Sequence, residues 1–114
     1  MARLLGIHEI QLVEGADAVE FERLFTEGAA QPGLPSFKTR LLKGERGERA
    51  GEYAILFEIE STEARDRYFP AQDQLSEEGK RYLAEHPAEA DFHQRLEAFY
   101  SDNEIVTDYL VVVE

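Results

Sequence analysis

A chain of 114 residues with 43% hydrophobic content can bury one sizeable core and is too short for two, so residues 1–114 read as a single domain. Its formal net charge of -12 argues against nucleic acid and anionic membrane surfaces as partners, since both would repel it. The absence of cysteine excludes disulfides, a thiolate nucleophile and thiolate metal sites. No apolar stretch approaches membrane-spanning length, and the opening MARLLGIHEIQLV has no small-residue cleavage pattern, so the expectation is a soluble, cytoplasmic protein.

Residues 5–13 predict a first strand, with His8, Ile10 and Leu12 on one face and Leu5, Ile7, Glu9, Gln11 and Val13 on the other. Asp17 followed by Glu20 starts a helix in the manner of a capping box. Phe21, Leu24, Phe25 and Gly28 then recur at helical spacing, which predicts a helix over 18–28. Pro32, Gly33 and Pro35 exclude regular structure and lead to a second strand over 36–43. The glycine-rich segment 44–51 is a hairpin loop, so the next strand pairs antiparallel. In that strand Tyr53, Ile55, Phe57 and Ile59 alternate with Ala54, Leu56 and Glu58, as in a strand covered on both sides.

Ser61 or Thr62 caps the following helix, Glu63 suits its positive end, and Pro70 stops it. Ser76 before Glu77 and Glu78 starts another. Pro87 either kinks that helix or begins a new one at its first position. Ala88, Phe92, Leu96 and Phe99 form a stripe predicted to be buried on a helix ending near Tyr100. After a turn over 101–104, residues 105–113 form a last strand. Tyr109, Val111 and Val113 share one face and Val106, Asp108, Leu110 and Val112 the other, and both faces are expected to be covered.

This order of elements predicts an α+β fold, a ferredoxin-like βαββαβ antiparallel sheet with helices on one face. Leu5, Ile7, Val13, Ala54, Leu56, Leu110 and Val112 would then leave a large apolar patch on the other face. Face-to-face packing of two such sheets would cover it, so the chain is its own expected partner in a homodimer. Glu9, Gln11, Glu58 and Asp108 are assigned to the same outer face, with Lys38 and Arg40 as neutralising partners in preference to a metal ion. The basic cluster Lys38, Arg40, Lys43, Arg46 and Arg49 reads as solvated hairpin charge, the alternative being an anion-binding rim.

Three segments carry a family resemblance: FEIESTEARDRYF in the middle, HPAEADFHQRLEAF later and VTDYLVVV at the end. They resemble the dimeric α/β-barrel superfamily, in which a strand leads into ESxEA, a tyrosine-containing helix, an HPxH-like segment and a VxDY strand. The resemblance implies a homodimeric α/β barrel. It also implies the superfamily's range of functions: antibiotic-biosynthesis-type monooxygenases, haem-degrading enzymes, polyketide cyclases, muconolactone isomerase and stress-responsive proteins without a defined reaction. His86 matches the first histidine of HPxH, while Glu89 stands where the second, the catalytic base of the cyclase-like members, would be. That departure argues against cyclase chemistry, and the lack of tryptophan argues against haem breakdown.

In this fold a small-molecule pocket is expected between sheet and helices. His8, on the helix-facing side of its strand, could meet His86, His93 or Tyr68 there as an acid/base pair, or could be a structural histidine near a sheet edge. His8, His86 and Tyr68 are therefore the candidate catalytic residues, Glu89, Phe57 and Phe92 the candidate ligand contacts, and His93 is expected to be exposed. No cofactor or metal is expected. The sequence thus predicts a homodimer that binds a small organic ligand, with cofactor-independent monooxygenase-like chemistry as the first reading. A non-enzymatic stress or interaction protein is the second. A defined pocket would favour the former and a solid interior the latter.

Overall fold

The computed structural model describes residues 3–28, 34–71, 74–101 and 104–113. Strands β1 (Leu4–Ile10), β2 (Phe37–Lys43), β3 (Tyr53–Ile59) and β4 (Ile105–Leu110) form one antiparallel sheet in the order β2-β3-β1-β4. Helices α1 (Ala18–Gly28), α2 (Thr62–Tyr68), α3 (Glu77–Glu85) and α4 (Pro87–Glu97) supply the second layer. α1 packs on α4, α2 on α3 and β3, and α3 on α4. This is the predicted ferredoxin-like arrangement.

Local chemistry places the helix starts. Asp17 Oδ1 accepts from the Val19 and Glu20 amides at 3.0 and 3.3 Å. Ser61 Oγ accepts from the Ala64 amide at 3.1 Å, and Ser76 Oγ from the Gly79 amide at 3.1 Å, so two serines satisfy donors that a helix start leaves free. Pro87 begins a new helix, taking the first-turn position where no amide is needed. The loop at 44–51 closes through Gly44 and Gly51, the latter at φ 84, where a side chain would be strained.

Strand register decides the faces. Leu4, Gly6, His8 and Ile10 lie opposite Ile59, Phe57, Ile55 and Tyr53, and Gly6 and His8 also lie opposite Asp108 and Val106. These residues share the helix-covered face. Its ends are filled. Ile10, Tyr53 and Ile55 pack with Phe21, Leu24, Phe25 and Leu96 at one end. Leu4, Ile59 and Tyr68 are buried at the other, where the Phe37 ring meets the Tyr68 ring at 6.0 Å. Between the two ends the sheet carries Gly6, His8, Phe57 and Thr39.

Several boundaries and faces differ from the prediction. β1 ends at Ile10, three residues early, because residues 11–13 leave the sheet to pair with the chain after α4: Val13 N–H donates to Phe99 O and Ser101 N–H to Gln11 O, both at 2.9 Å. β4 ends at Leu110 and is an edge strand, with Ile105, Tyr109 and Leu110 more than half exposed and Val112 and Val113 almost fully so. It is therefore not covered on both faces. Its register also corrects the outer-face assignment, since Asp108, Leu110 and Val106 lie on the helix side and Ile105, Thr107 and Tyr109 on the outer side. Ala88 is exposed, and its place in the buried stripe of α4 is taken by Glu89. The predicted loops over 31–35, 71–75 and 101–104 lie partly outside the described residues.

The outer face carries Leu5, Ile7, Ala54, Leu56, Leu42, Ile105 and Tyr109, with Glu9 and Glu58 among them. Arg40 Nη1 lies 3.6 Å from Glu58 and Arg49 Nε 3.7 Å from Glu9. Arg49 also donates to the Ile10 and Tyr53 carbonyls at 3.1 and 2.8 Å, tying the hairpin loop to two strand ends. With Lys43 3.9 Å from Glu22, three cations of the basic cluster face carboxylates.

Candidate functional site

Over the middle of the sheet, between its two packed ends, the helices leave an open cleft of about 1170 Å³. The physical cause lies in the strands. Gly6 contributes no side chain at a position where Leu4 and Ile10 of the same face fill the space, and the half-buried His8 and Phe57 line what remains. A methyl group built on Gly6 would come within 3.0 Å of Asp108 Oδ1, so the glycine makes room for that carboxylate. From above, the cleft is bounded by Phe25 of α1, Arg65 of α2, Leu75, Leu83 of α3, and Glu89, Phe92 and His93 of α4.

His8 Nδ1 lies 3.2 Å from Glu104 Oε1, within ion-pair distance when the imidazole is protonated, and the His8 ring sits 4.7 Å from that of Phe57. On the helix side His93 Nε2 is hydrogen-bonded to Glu89 Oε1 at 3.0 Å. The carboxylate only accepts, so Nε2–H donates. The Glu89 side chain is 8% exposed. A charge so buried requires a partner, and the imidazole one helical turn away provides it. Each wall of the cleft thus holds one histidine–carboxylate pair.

A third polar group joins helix to sheet. Arg65 Nη1 donates to Asp108 Oδ2 at 2.9 Å and Nε to Asp66 Oδ1 at 3.0 Å. Burial would lower the Arg65 pKa, but its bonds to Asp108 and Asp66 and their charges outweigh that, so its positive charge is held more firmly than in water.

The other candidates lie elsewhere. His86 is at the α3–α4 junction, its Nδ1–H donating to the Tyr82 carbonyl at 2.8 Å and its ring stacked on Tyr82 at 3.9 Å. Tyr68 is buried between Phe37 and Arg67 and, with Tyr82, borders a separate small recess between α2 and α3. The Tyr82 phenol is raised by burial first, and then by the charges of Glu89 and Tyr68. The structure therefore does not bring His8 together with His86 or Tyr68: neither lines the cleft, His86 being held on Tyr82 at the α3–α4 junction and Tyr68 packed on Phe37 at a filled end of the sheet. It brings His8 into the same cleft as His93, which is half-buried and not the freely exposed residue expected. The Glu89–His93 spacing of four on a predicted helix was the available signal for this pair. Glu104 and Asp108 gave none. Among the described residues no group of three or more histidines and carboxylates could hold a metal ion.

No family model matches this chain, and no curated protein matches it. Solved structures do resemble it. One is SnoaB, a cofactor-independent oxygenase from Streptomyces nogalater, at 16% identity and a TM-score of 0.58 over 98% of this chain and 95% of the other. A DABB family protein with a ferredoxin-like fold from Mesorhizobium loti is similar over 99% of this chain and 100% of its own, at 14% identity and a TM-score of 0.54. A dimeric protein of unknown function and ferredoxin-like fold from Bacteroides fragilis covers 96% of each chain at 11% identity and a TM-score of 0.54. Likeness at such identities carries the fold, which is ferredoxin-like, and not the activity.

Proposed function

We propose that this chain is a homodimeric small-molecule-binding protein whose cleft performs cofactor-independent, oxygenase-type chemistry on a small, partly apolar organic substrate. The observation that carries this reading is the cleft itself, with His8 on the sheet and His93 on α4, each within 3.2 Å of a carboxylate. A carboxylate bonded to one ring nitrogen stabilises the imidazolium that forms when the other nitrogen takes a proton, which is what a general base requires. Phe25, Phe57 and Phe92 supply apolar surface for the substrate body. A cofactor-independent oxygenase with this fold is a precedent for the reaction class, which rests here on the cleft residues. The open cleft favours this reading over a purely structural or interaction role.

The dimer is supported by the outer face, where Leu5, Ile7, Leu56, Ile105 and Tyr109 lie together on the side of the sheet that none of the described helices covers, and by similar structures described as dimeric. Native mass spectrometry of freshly purified protein tests both parts at once. The expected spectrum shows a dimer retaining a small organic molecule, which is lost from His8→Asn and His93→Asn and kept by His86→Asn. A ligand profile unchanged in His8→Asn and His93→Asn would refute the site, and a monomer at micromolar concentration would refute the dimer.

A further inference from the structure

The charge of the cleft bears on what it accepts. Among the described residues Asp66, Glu89, Glu97, Glu104 and Asp108 border it, against Lys38, Arg65 and the two imidazoles of His8 and His93. Lys38 lies opposite Glu58 in the strand register and so belongs to the outer face, between the cleft-facing Phe37 and Thr39. Arg65 does reach the cleft, but its guanidinium is already 2.9 Å from Asp108 and 3.0 Å from Asp66. The two imidazoles each face a carboxylate as well. The wall therefore stays net negative even with His8 and His93 both protonated. The residues outside the described set include no lysine, arginine or histidine, so none of their side chains can reverse this sign.

Resting on the reading of the cleft as a small-molecule site, we propose that it rejects anionic ligands and takes an uncharged molecule. A substrate with an ionisable proton therefore enters with that proton in place and loses it only inside. A ligand carboxylate or phosphate would meet the buried Glu89 carboxylate in a setting where water screens poorly, and among the described residues the one side-chain guanidinium that reaches the cleft, Arg65, is already engaged by Asp108 and Asp66. The aromatic residues Phe25, Phe57 and Phe92 require no charge of their partner. The overall charge of -12 acts in the same direction at longer range.

Two probes of nearly equal shape isolate the effect: naphthalene-2-carboxamide, which is neutral, and 2-naphthoate, which is an anion. The full chain is titrated with each and followed by the nuclear magnetic resonance signals of His8, Phe57 and Phe92, at low and at high salt. The amide is expected to shift those signals, with the naphthoate binding at least about tenfold more weakly. The gap should persist in high salt, because charges inside a cleft are screened less than surface charges. It should narrow in Glu104→Gln, whose half-buried side chain makes loss of the fold a lesser concern, and in Glu89→Gln. Equal or tighter binding of the naphthoate at the same signals would overturn the charge selection while leaving the cleft as a binding site. A gap unaltered in both glutamine variants would also overturn it. If neither probe moves the cleft signals, the small-molecule reading falls, and this inference with it.

Discussion

Glu89 Oε1 lies 3.0 Å from His93 Nε2, one turn further along α4, with the carboxylate buried and the imidazole 41% exposed. The imidazole thus borders the cleft while the carboxylate that holds it is packed into α4's buried side. Removing the acid should therefore cost both stability and binding. Glu89→Ala strips the partner from His93 and opens a gap beside Phe92, and should destabilise the chain by about 1–3 kcal/mol in urea denaturation. Glu89→Gln keeps an acceptor for His93 and should cost less. Equal midpoints for Glu89→Ala and the unaltered chain would show that the pair does not stabilise α4.

Gly28 ends α1 directly beneath the Phe92 ring, where a methyl group would fall 2.1 Å from a ring carbon. Gly28→Ala must push that ring away, towards the cleft it borders. The expected cost is about 1–3 kcal/mol of stability, as for overpacking elsewhere. Probe binding in the cleft should weaken in parallel. A variant with undiminished stability would mean that the α1–α4 contact yields without cost.

Tyr53 is buried in the core and its hydroxyl donates to Glu22. Burial first, then this bond and the Glu22 charge, push its pKa from 10.0 to about 12. The folded state thus holds the proton more tightly than the unfolded chain does. Its contribution is complete below pH 10 and is lost as pH rises through about 12, a fall on the order of 2 kcal/mol. Denaturation measured across that window should show the fall in the unaltered chain and a smaller one in Tyr53→Phe. An equal fall in both would assign it to other groups.

Ile7 and Leu56 are register partners on the outer face. Leu56→Asp places a charge in the middle of the proposed contact between sheets without touching the helix-covered core. Light scattering should give the 13.0 kDa mass of one chain for this variant and twice that for the unaltered protein, with circular dichroism the same for both. A variant that keeps the larger mass would place the dimer contact elsewhere.

Most of the fold was legible because it depends on local chemistry. Asp17, Ser61 and Ser76 cap helices wherever they sit, Pro87 can begin a helix but not continue one, and the alternation of residues 53–59 requires two covered faces. The candidate site was legible in part. His8 was found because strand parity puts it on the same face as Ile10. Glu89 was found because it occupies a motif position. His86 and Tyr68 were drawn into the same constellation by the family resemblance and by the pocket expected between sheet and helices, but His86 is held on Tyr82 at the α3–α4 junction and Tyr68 is packed on Phe37 at a filled end of the sheet.

The residues by themselves determined the order of elements, their caps and the parity within each strand, since these follow from backbone donors, side-chain oxygens and a period of two. Register is different, because a shift of one residue exchanges the faces and parity alone does not choose between them. Only the tertiary structure set Asp108 opposite Gly6, moving it from the outer face to the cleft beside Arg65. Only it brought Glu104, 96 positions along from His8, to within 3.2 Å of the imidazole. The cleft is likewise a property of the assembled layers. Helices that rest on the two filled ends of the sheet leave its glycine-lined middle open, and no single stretch of the chain states that vacancy.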